Sequence, residues 1–295
     1  MASSRPSVTS FLTRRRFLKA GAAGAAGLAL YSGEIARHWI EVTHLSIQLP
    51  KLPAAFDGYH IVQLSDIHLD GFTEPYFLRD AVGHINRLSP DAVFLTGDFV
   101  THQFFPKKWS IPSAWKCAEI LHGLECKSRF AILGNHDVIV SPPAVTEALT
   151  NSGITVLRNE FTSIDRGSSR LWLAGLDDPV EGHPDIDRAI PESIRNRAEE
   201  PILLMCHAPD FVDDLLKHPA GAAVQMMLSG HTHGGQVRFP FGPPLELPEL
   251  GKKYVEGLFH LQGLQLYVNR GIGAVGVPFR LNCPPEITSI TLHRA

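Results

Sequence analysis

The sequence predicts an α/β protein in which a second β-sheet packs on a first. Three observations carry this. Five short apolar runs read as buried strands: 61–64, 92–95, 130–133, 202–205 and 225–228. Segments of helical periodicity alternate with them. Shorter strand-like runs then follow in the middle of the chain (154–157, 161–164 and 171–174) and in its tail (264–268 and 287–292), and these are expected to supply the second sheet.

Among the helices, Phe77, Leu78, Ala81, Val82, Ile85 and Leu88 recur at helical spacing, behind a Pro75 suited to a first turn and ahead of Ser89-Pro90. Ser141 is placed to cap a helix that opens at Pro142-Pro143 and ends by Gly153. Phe211, Val212, Leu215 and Leu216 give another amphipathic segment. Residues 165–168 read as a hairpin turn. Two stretches, 234–251 and 271–285, hold too much Pro and Gly for strands and are expected to form loops walling a substrate site.

Composition allows one domain of about 250 residues. The chain has 295 residues, 44% hydrophobic and 19% charged, with net charge −3. No basic block runs through the body, so nucleic acid is not an expected partner. Residues 1–33 hold Arg5, Arg14, Arg15, Arg16 and Lys19 and no acid, leaving the remainder at −8. Thr13-Arg14-Arg15-Arg16-Phe17-Leu18-Lys19 precedes a weakly apolar, Gly-rich stretch, the layout of an export signal. It resembles the bacterial twin-arginine signal, so residues 1–33 are expected to be an export signal or retained amino-terminal anchor and 34–295 the functional domain. The stretch is short for a spanning helix. Cys117 and Cys126 could pair after export; burial as small hydrophobes is the expected state of most cysteines here.

Each of the five strand-like runs ends in hard metal ligands: Asp66-Ile67-His68, Gly97-Asp98, Gly134-Asn135-His136-Asp137, Cys206-His207 and Gly230-His231-Thr232-His233. Ligands bind beyond the carboxyl ends of strands in open α/β sheets, so the five motifs point to one shared site. Asp66 and His68, and likewise His231 and His233, are two apart and would share a face in extended chain. Cys206 would diverge from His207, leaving nitrogen and oxygen donors that suit Mn, Fe, Zn, Co or Ni. The set has donors for two metal ions, and a metal pair implies phosphate-ester hydrolysis. The other ten histidines, His102 among them, are expected to be structural.

In their order and spacing, these motifs resemble the calcineurin-like metallophosphoesterase superfamily over roughly residues 60–235. The 230–236 and 269–273 segments are similar to its exported phosphodiesterase branch and to enzymes cleaving UDP-2,3-diacylglucosamine. The resemblance implies a four-layer sandwich of two mixed β-sheets flanked by helices. It implies one divalent ion on Asp66, His68, Asp98 and His233 and a second on Asp98, Asn135, His207 and His231, with a bridging hydroxide as nucleophile. His136 would protonate the leaving group, with Asp137 orienting it. Arg270 and Arg280 are candidate phosphate clamps; Lys252 and Lys253 read as a solvated loop. Thr101 stands where Ser/Thr protein phosphatases carry Asp, which weakens that reading and leaves the partner of His136 open. The expectation is hydrolysis of a phosphodiester or pyrophosphate, with a lipid-linked substrate in view, outside the cytoplasmic membrane (periplasm, cell wall or the membrane's outer face), with peripheral membrane or cell-envelope association. A phosphomonoesterase is the near alternative, and a non-catalytic metal-binding scaffold the alternative of a different class.

Overall fold

A computed structural model describes residues 13–69, 72–102, 107–197 and 199–295. Two six-stranded sheets face each other. The first is ordered β1 (Glu41–Leu49), β12 (Glu286–Arg294), β2 (Tyr59–Leu64), β3 (Ala92–Leu95), β4 (Ser128–Ala131), β5 (Thr155–Val156). The second is ordered β10 (Gly257–Leu261), β11 (Leu264–Val268), β9 (Val224–Ser229), β8 (Ile202–Met205), β7 (Ser169–Gly175), β6 (Glu160–Arg166). Both sheets are mixed: β12 runs antiparallel to β2, and β10 and β6 run antiparallel at the two edges of the second sheet.

Strand alternation explains the layers. In β8 the side chains of Leu203 and Met205 enter the core between the sheets, while Ile202 and Leu204 enter the outer core. In β2, Ile61 faces the inner core, and Val62 and Leu64 face the helices. Successive side chains in a strand point to opposite faces, so runs apolar at every position serve strands covered on both sides. Helices α2 (Pro75–Leu88), α3 (Lys107–Leu121), α4 (Asn135–Val140) and α5 (Pro142–Asn151) lie in chain order between the strands of the first sheet. Buried residues of α2, α3 and α5 share one core with that sheet. The one-turn helices α6 (Ile186–Ala189), α7 (Glu192–Arg195) and α8 (Val212–Leu215) cover the second sheet.

Several expectations need correction. β5 and β12 belong to the first sheet, not the second. The motif-bearing β8 and β9 belong to the second, so the five motifs come from two sheets. β4 ends at Ala131, two residues early; Ile132 N–H still donates to Leu95 C=O at 3.0 Å as the chain runs on to Gly134. The segment after the fourth motif makes one 3₁₀ turn and one helical turn only. α2 begins at Pro75 as expected and stops at Ser89, which turns left-handed at φ 48°. In α5, Ser141 caps the Ala144 N–H at 3.4 Å.

The amino-terminal helix α1 (Arg14–Leu30) is capped by Thr13 and buries none of its residues. Burial begins at Ser32 and Gly33. Among the described residues no helix is long and apolar enough to cross a membrane. None of the four cysteines is in a disulfide, so the Cys117–Cys126 pairing does not form here.

The carboxyl ends of β2, β3 and β4 meet those of β8 and β9 at one end of the inner core, and the buried Gln63 amide joins the two sheets there. Its Nε2 donates to Thr96 Oγ1 at 3.0 Å and to the Ser229 carbonyl at 2.9 Å. A second link lies across the sheets at β11 and β12: Glu286, 2% exposed, accepts from the Tyr267 hydroxyl and from Arg270 Nε.

Candidate metal centre

The motif loops leave their strands by left-handed turns. Asp66, His68, Asp98, His231 and His233 have φ of 50°, 50°, 57°, 73° and 51°. The extended-chain explanation for the paired ligands is therefore replaced by one based on these turns. They are fixed by hydrogen bonds between loops: Asp66 N–H donates to Gly97 C=O at 3.0 Å, and both Ile67 and His68 N–H donate to Asp98 C=O at 2.8 and 3.0 Å. Non-glycine residues in such conformations cost roughly 1–3 kcal/mol each and persist where surrounding structure over-determines them.

All seven residues expected to bind metal converge. His68 Nε2 stands 3.1 Å from His233 Nε2, and Asp66 Oδ1 is 3.5 Å from the latter. Asp98 Oδ2 lies 3.4 Å from His68 Nε2 and 3.3 Å from His207 Nε2, between the two groups. The His231 ring sits 4.9 Å from that of His207, and Asn135 lines the same pocket. Close approach depends on glycine. A Cβ on Gly134 would stand 2.7 Å from His207 Nε2 and collide with Asp98 Oδ1; one on Gly97, at φ +98°, would stand 2.8 Å from His207 Nδ1.

Partners behind the rings decide which nitrogen faces the cluster. His207 Nδ1 donates to the Thr96 carbonyl at 2.6 Å, leaving Nε2. His231 Nε2 donates to the Glu249 carbonyl at 2.7 Å, leaving Nδ1. His68 Nδ1 meets Thr101 Oγ1 at 3.1 Å, a contact that gives Thr101 a place in the site. His136 Nδ1 accepts the His102 backbone N–H at 2.9 Å, so a neutral His136 carries its proton on Nε2. This answers the question of its partner, and no side-chain pattern could have revealed a backbone donor.

Three expected roles change. The Asp137 carboxylate does not orient His136; it accepts the N–H groups of Asp98 (2.8 Å), Phe99 (2.9 Å), Val100 (3.3 Å) and Gly134 (3.0 Å). It thereby holds the loop bearing Asp98 against the turn bearing Asn135. Arg270 is not a free phosphate clamp, because Glu286 (2.9 Å) and Glu41 (3.0 Å) engage its guanidinium. Arg280 is fully buried and donates to the carbonyls of Arg270, Gly271, Gly273 and Cys283, binding up the 270–283 loop. Asp178 was not anticipated: it is buried, its Oδ1 has no partner, and burial raises its pKa to about 6.

Burial holds His68 and His231 neutral, with pKa values lowered to about 3 and about 4, and likewise lowers His233 well below the usual imidazole range. Burial also opposes charge on His207, but Asp98 and Asp66 outweigh it and raise its pKa to about 10. Burial raises Asp66 to about 6. Asn135 Oδ1 and His207 Nε2 are buried without a hydrogen-bond partner. Buried polar atoms without partners cost several kcal/mol unless something completes them. Orphaned nitrogen and oxygen donors beside two carboxylates fit divalent cations. Above them opens a pocket of about 250 Å³. Asp98, Asn135, His136 and His233 line its inner part, and both Gly/Pro-rich loops wall it, through Val237, Leu245, Pro248, Val275 and Val277.

Replacing His136 by Ala is expected to keep metal content and melting temperature while turnover falls about 100-fold or more. Asp137→Asn is expected to lower stability by about 2–4 kcal/mol, because buried N–H donors lose an acceptor, and to lower metal content with it. Elemental analysis and thermal melting of both variants read this; metal loss in His136→Ala alone would contradict it. Metal uptake should also release protons. Below about pH 10 His207 is charged in the metal-free protein, and below about pH 6 Asp66 is protonated as well. Cations compete with these protons, so affinity falls as pH falls, by roughly tenfold per unit near pH 8 and more steeply below pH 6. Calorimetry in buffers of different ionisation enthalpy is expected to count about one proton released at pH 8; none released would contradict this assignment.

Comparison with known proteins agrees with this geometry. The family model for calcineurin-like phosphoesterases matches residues 59–235. The chain is 34% identical to an uncharacterized metallophosphoesterase of Bacillus subtilis, YkuE, over 291 residues, covering 95% of this chain and 98% of the relative. It is 33% identical to the phosphodiesterase YaeI of Escherichia coli, over 95% of this chain and 99% of that one. It is 27% identical to the UDP-2,3-diacylglucosamine pyrophosphatase LpxG of Chlamydia trachomatis, over 88% and 91% respectively. With its motifs gathered at the ends of strands in two facing sheets, the chain belongs to the calcineurin-like phosphoesterase family and is a metal-dependent phosphoester hydrolase.

Proposed function

We propose that the protein hydrolyses a phosphodiester or pyrophosphate with two divalent ions. Asp66, His68, Asp98 and His233 would hold one, and Asp98, Asn135, His207 and His231 the other. When bound, such ions acidify water to a nucleophile available at neutral pH and neutralise charge on the phosphoryl group. The chain's own residues do the rest. His136, on the pocket wall, presents Nε2–H to the leaving oxygen, and the His102 N–H at Nδ1 keeps the proton on that face. Asp137 keeps Asp98 and Asn135 in register. The valines, Leu245 and Pro248 exclude water from around the ester.

The observation that carries the choice of a diester is the pocket wall. Among the described residues lining it there is no Lys or Arg, and beyond the ligand cluster its wall is mostly apolar, with Gln236 and Glu246 as its polar members. A monoester dianion calls for cationic clamps, whereas a diester or a disubstituted pyrophosphate carries a single charge on each phosphorus and organic groups at both ends. A lipid-linked diester or pyrophosphate, of the kind named for LpxG, suits such walls. We further propose export by the twin-arginine route, supported by the Arg14-Arg15-Arg16-Phe17-Leu18-Lys19 run in a helix that buries nothing.

The metal-loaded protein is expected to hydrolyse bis-p-nitrophenyl phosphate with kcat/KM at least about tenfold above that for p-nitrophenyl phosphate, a difference near 1.4 kcal/mol in transition-state stabilisation. A reversed ratio would favour the monoesterase; binding of metal without turnover of either ester would favour the scaffold.

A further inference from the structure

Large apolar side chains are exposed around one side of the pocket mouth. Phe241 is 94% exposed and Leu245 66%; Phe239 and Val277 are also exposed. These positions belong to segments tied to one another. Leu245 N–H donates to Val237 C=O at 3.2 Å, so residues 238–244 form a projecting loop. Arg238 N–H donates to Leu281 C=O at 2.9 Å, and Gln236 Nε2 donates to the Val275 and Val277 carbonyls at 3.0 Å, bringing the second loop alongside. Arg280 N–H donates to Ser32 C=O at 3.0 Å, so the segment leaving α1 is fastened to that same loop. Tyr31 and Ile35 are exposed there, and so are Phe17, Leu18, Leu28 and Leu30 on α1.

We propose that this collar is a seat for an anionic lipid bilayer, with the pocket mouth against the lipid surface. Exposed apolar patches beside a binding cleft mark interaction surfaces. Charge selects the occupant: residues 1–33 carry five basic groups and no acid, while the rest of the chain stands at −8. An anionic surface attracts the first segment, and residues 236–245 of the collar carry no acid to oppose that approach, which favours contact through the collar and α1. α1 is too short and weakly apolar to span, and its exposed Arg14, Arg15, Arg16 and Lys19 stand beside exposed Phe17 and Leu18, offering an anionic surface both charge and apolar contact. Pro240, Pro243 and Pro244 stiffen the loop that carries Phe239 and Phe241, so little ordering entropy is lost when it inserts. The seat deepens the proposed function, and the part of it that concerns substrate rests on that reading: a phosphoester lying at the lipid headgroup level would meet the pocket without leaving the membrane.

The test uses the full chain, metal-loaded, in co-sedimentation with phosphatidylglycerol–phosphatidylcholine vesicles. Wild-type protein is expected to partition onto them, more weakly when phosphatidylcholine is used alone. F239S/F241S is expected to lose at least about tenfold in partition. Its turnover of soluble bis-p-nitrophenyl phosphate should equal wild type, which shows the fold and site intact, since neither side chain lines the pocket. Equal partition of variant and wild type, or no partition of wild type, would overturn the seat. So would a lipid-free dimer, in sedimentation velocity, that F239S/F241S dissociates, since the collar would then belong to a second copy. If wild type fails to cleave the soluble diester yet the partition difference holds, the phosphodiesterase reading fails and the docking surface stands; F239S/F241S is then checked by thermal melting.

Discussion

Asp98 Oδ2 lies within 3.4 Å of His68 Nε2 and 3.3 Å of His207 Nε2, and much of the architecture holds it there. His68 follows β2 of the first sheet and His207 follows β8 of the second, so the carboxylate joins ligands that only the facing of the two sheets brings together. Its backbone is in the left-handed region, its N–H is held by Asp137, and its carbonyl receives two N–H groups from the Asp66–His68 turn. Gly97 and Gly134 leave no side chain in the gap. Such convergence is unfavourable for the protein alone, because it buries acids and imidazoles and strains several turns. Charge attraction offsets part of that cost: His207 is held protonated by its carboxylate neighbours in the metal-free state. A divalent ion, which these inward-turned ligand atoms would hold, would offset more.

Much of this was legible in the sequence, for reasons that differ by residue. β3 and β8 coincide with their apolar runs because strands buried on both faces admit nothing else. α2 was legible from Pro75 and its apolar periodicity. β1 was not, since its exposed side chains are Glu41, His44, Ser46 and Gln48 at a sheet edge. α3 was missed because Pro112 interrupts it. The placing of β12 between β1 and β2 depends on pairing across more than two hundred residues, which no local pattern encodes.

At the site, side chains whose chemistry is unusual in a core were legible, and those whose partners are backbone groups were not. The seven expected ligands meet, yet the reason first assigned to their pairing, extended chain, is replaced by left-handed turns. Asp137, Arg270 and Arg280 have the right chemistry for catalysis or phosphate binding, but loop backbones and Glu286 engage them instead. Thr101 looked like a mere departure from a related pattern and proves to contact His68. The pocket's apolar walls come from loops identifiable by their Pro and Gly content, while the buried Arg280 guanidinium that gathers the second of them bonds to backbone carbonyls there.

In the proposed site, ligands from two sheets would hold two cations around a shared Asp98. Manganese titration of metal-free protein, followed by electron paramagnetic resonance at low temperature, tests it most directly. The account predicts two equivalents bound per chain with a spectrum showing exchange coupling between them. Saturation at one equivalent, or two equivalents with independent spectra, would contradict it.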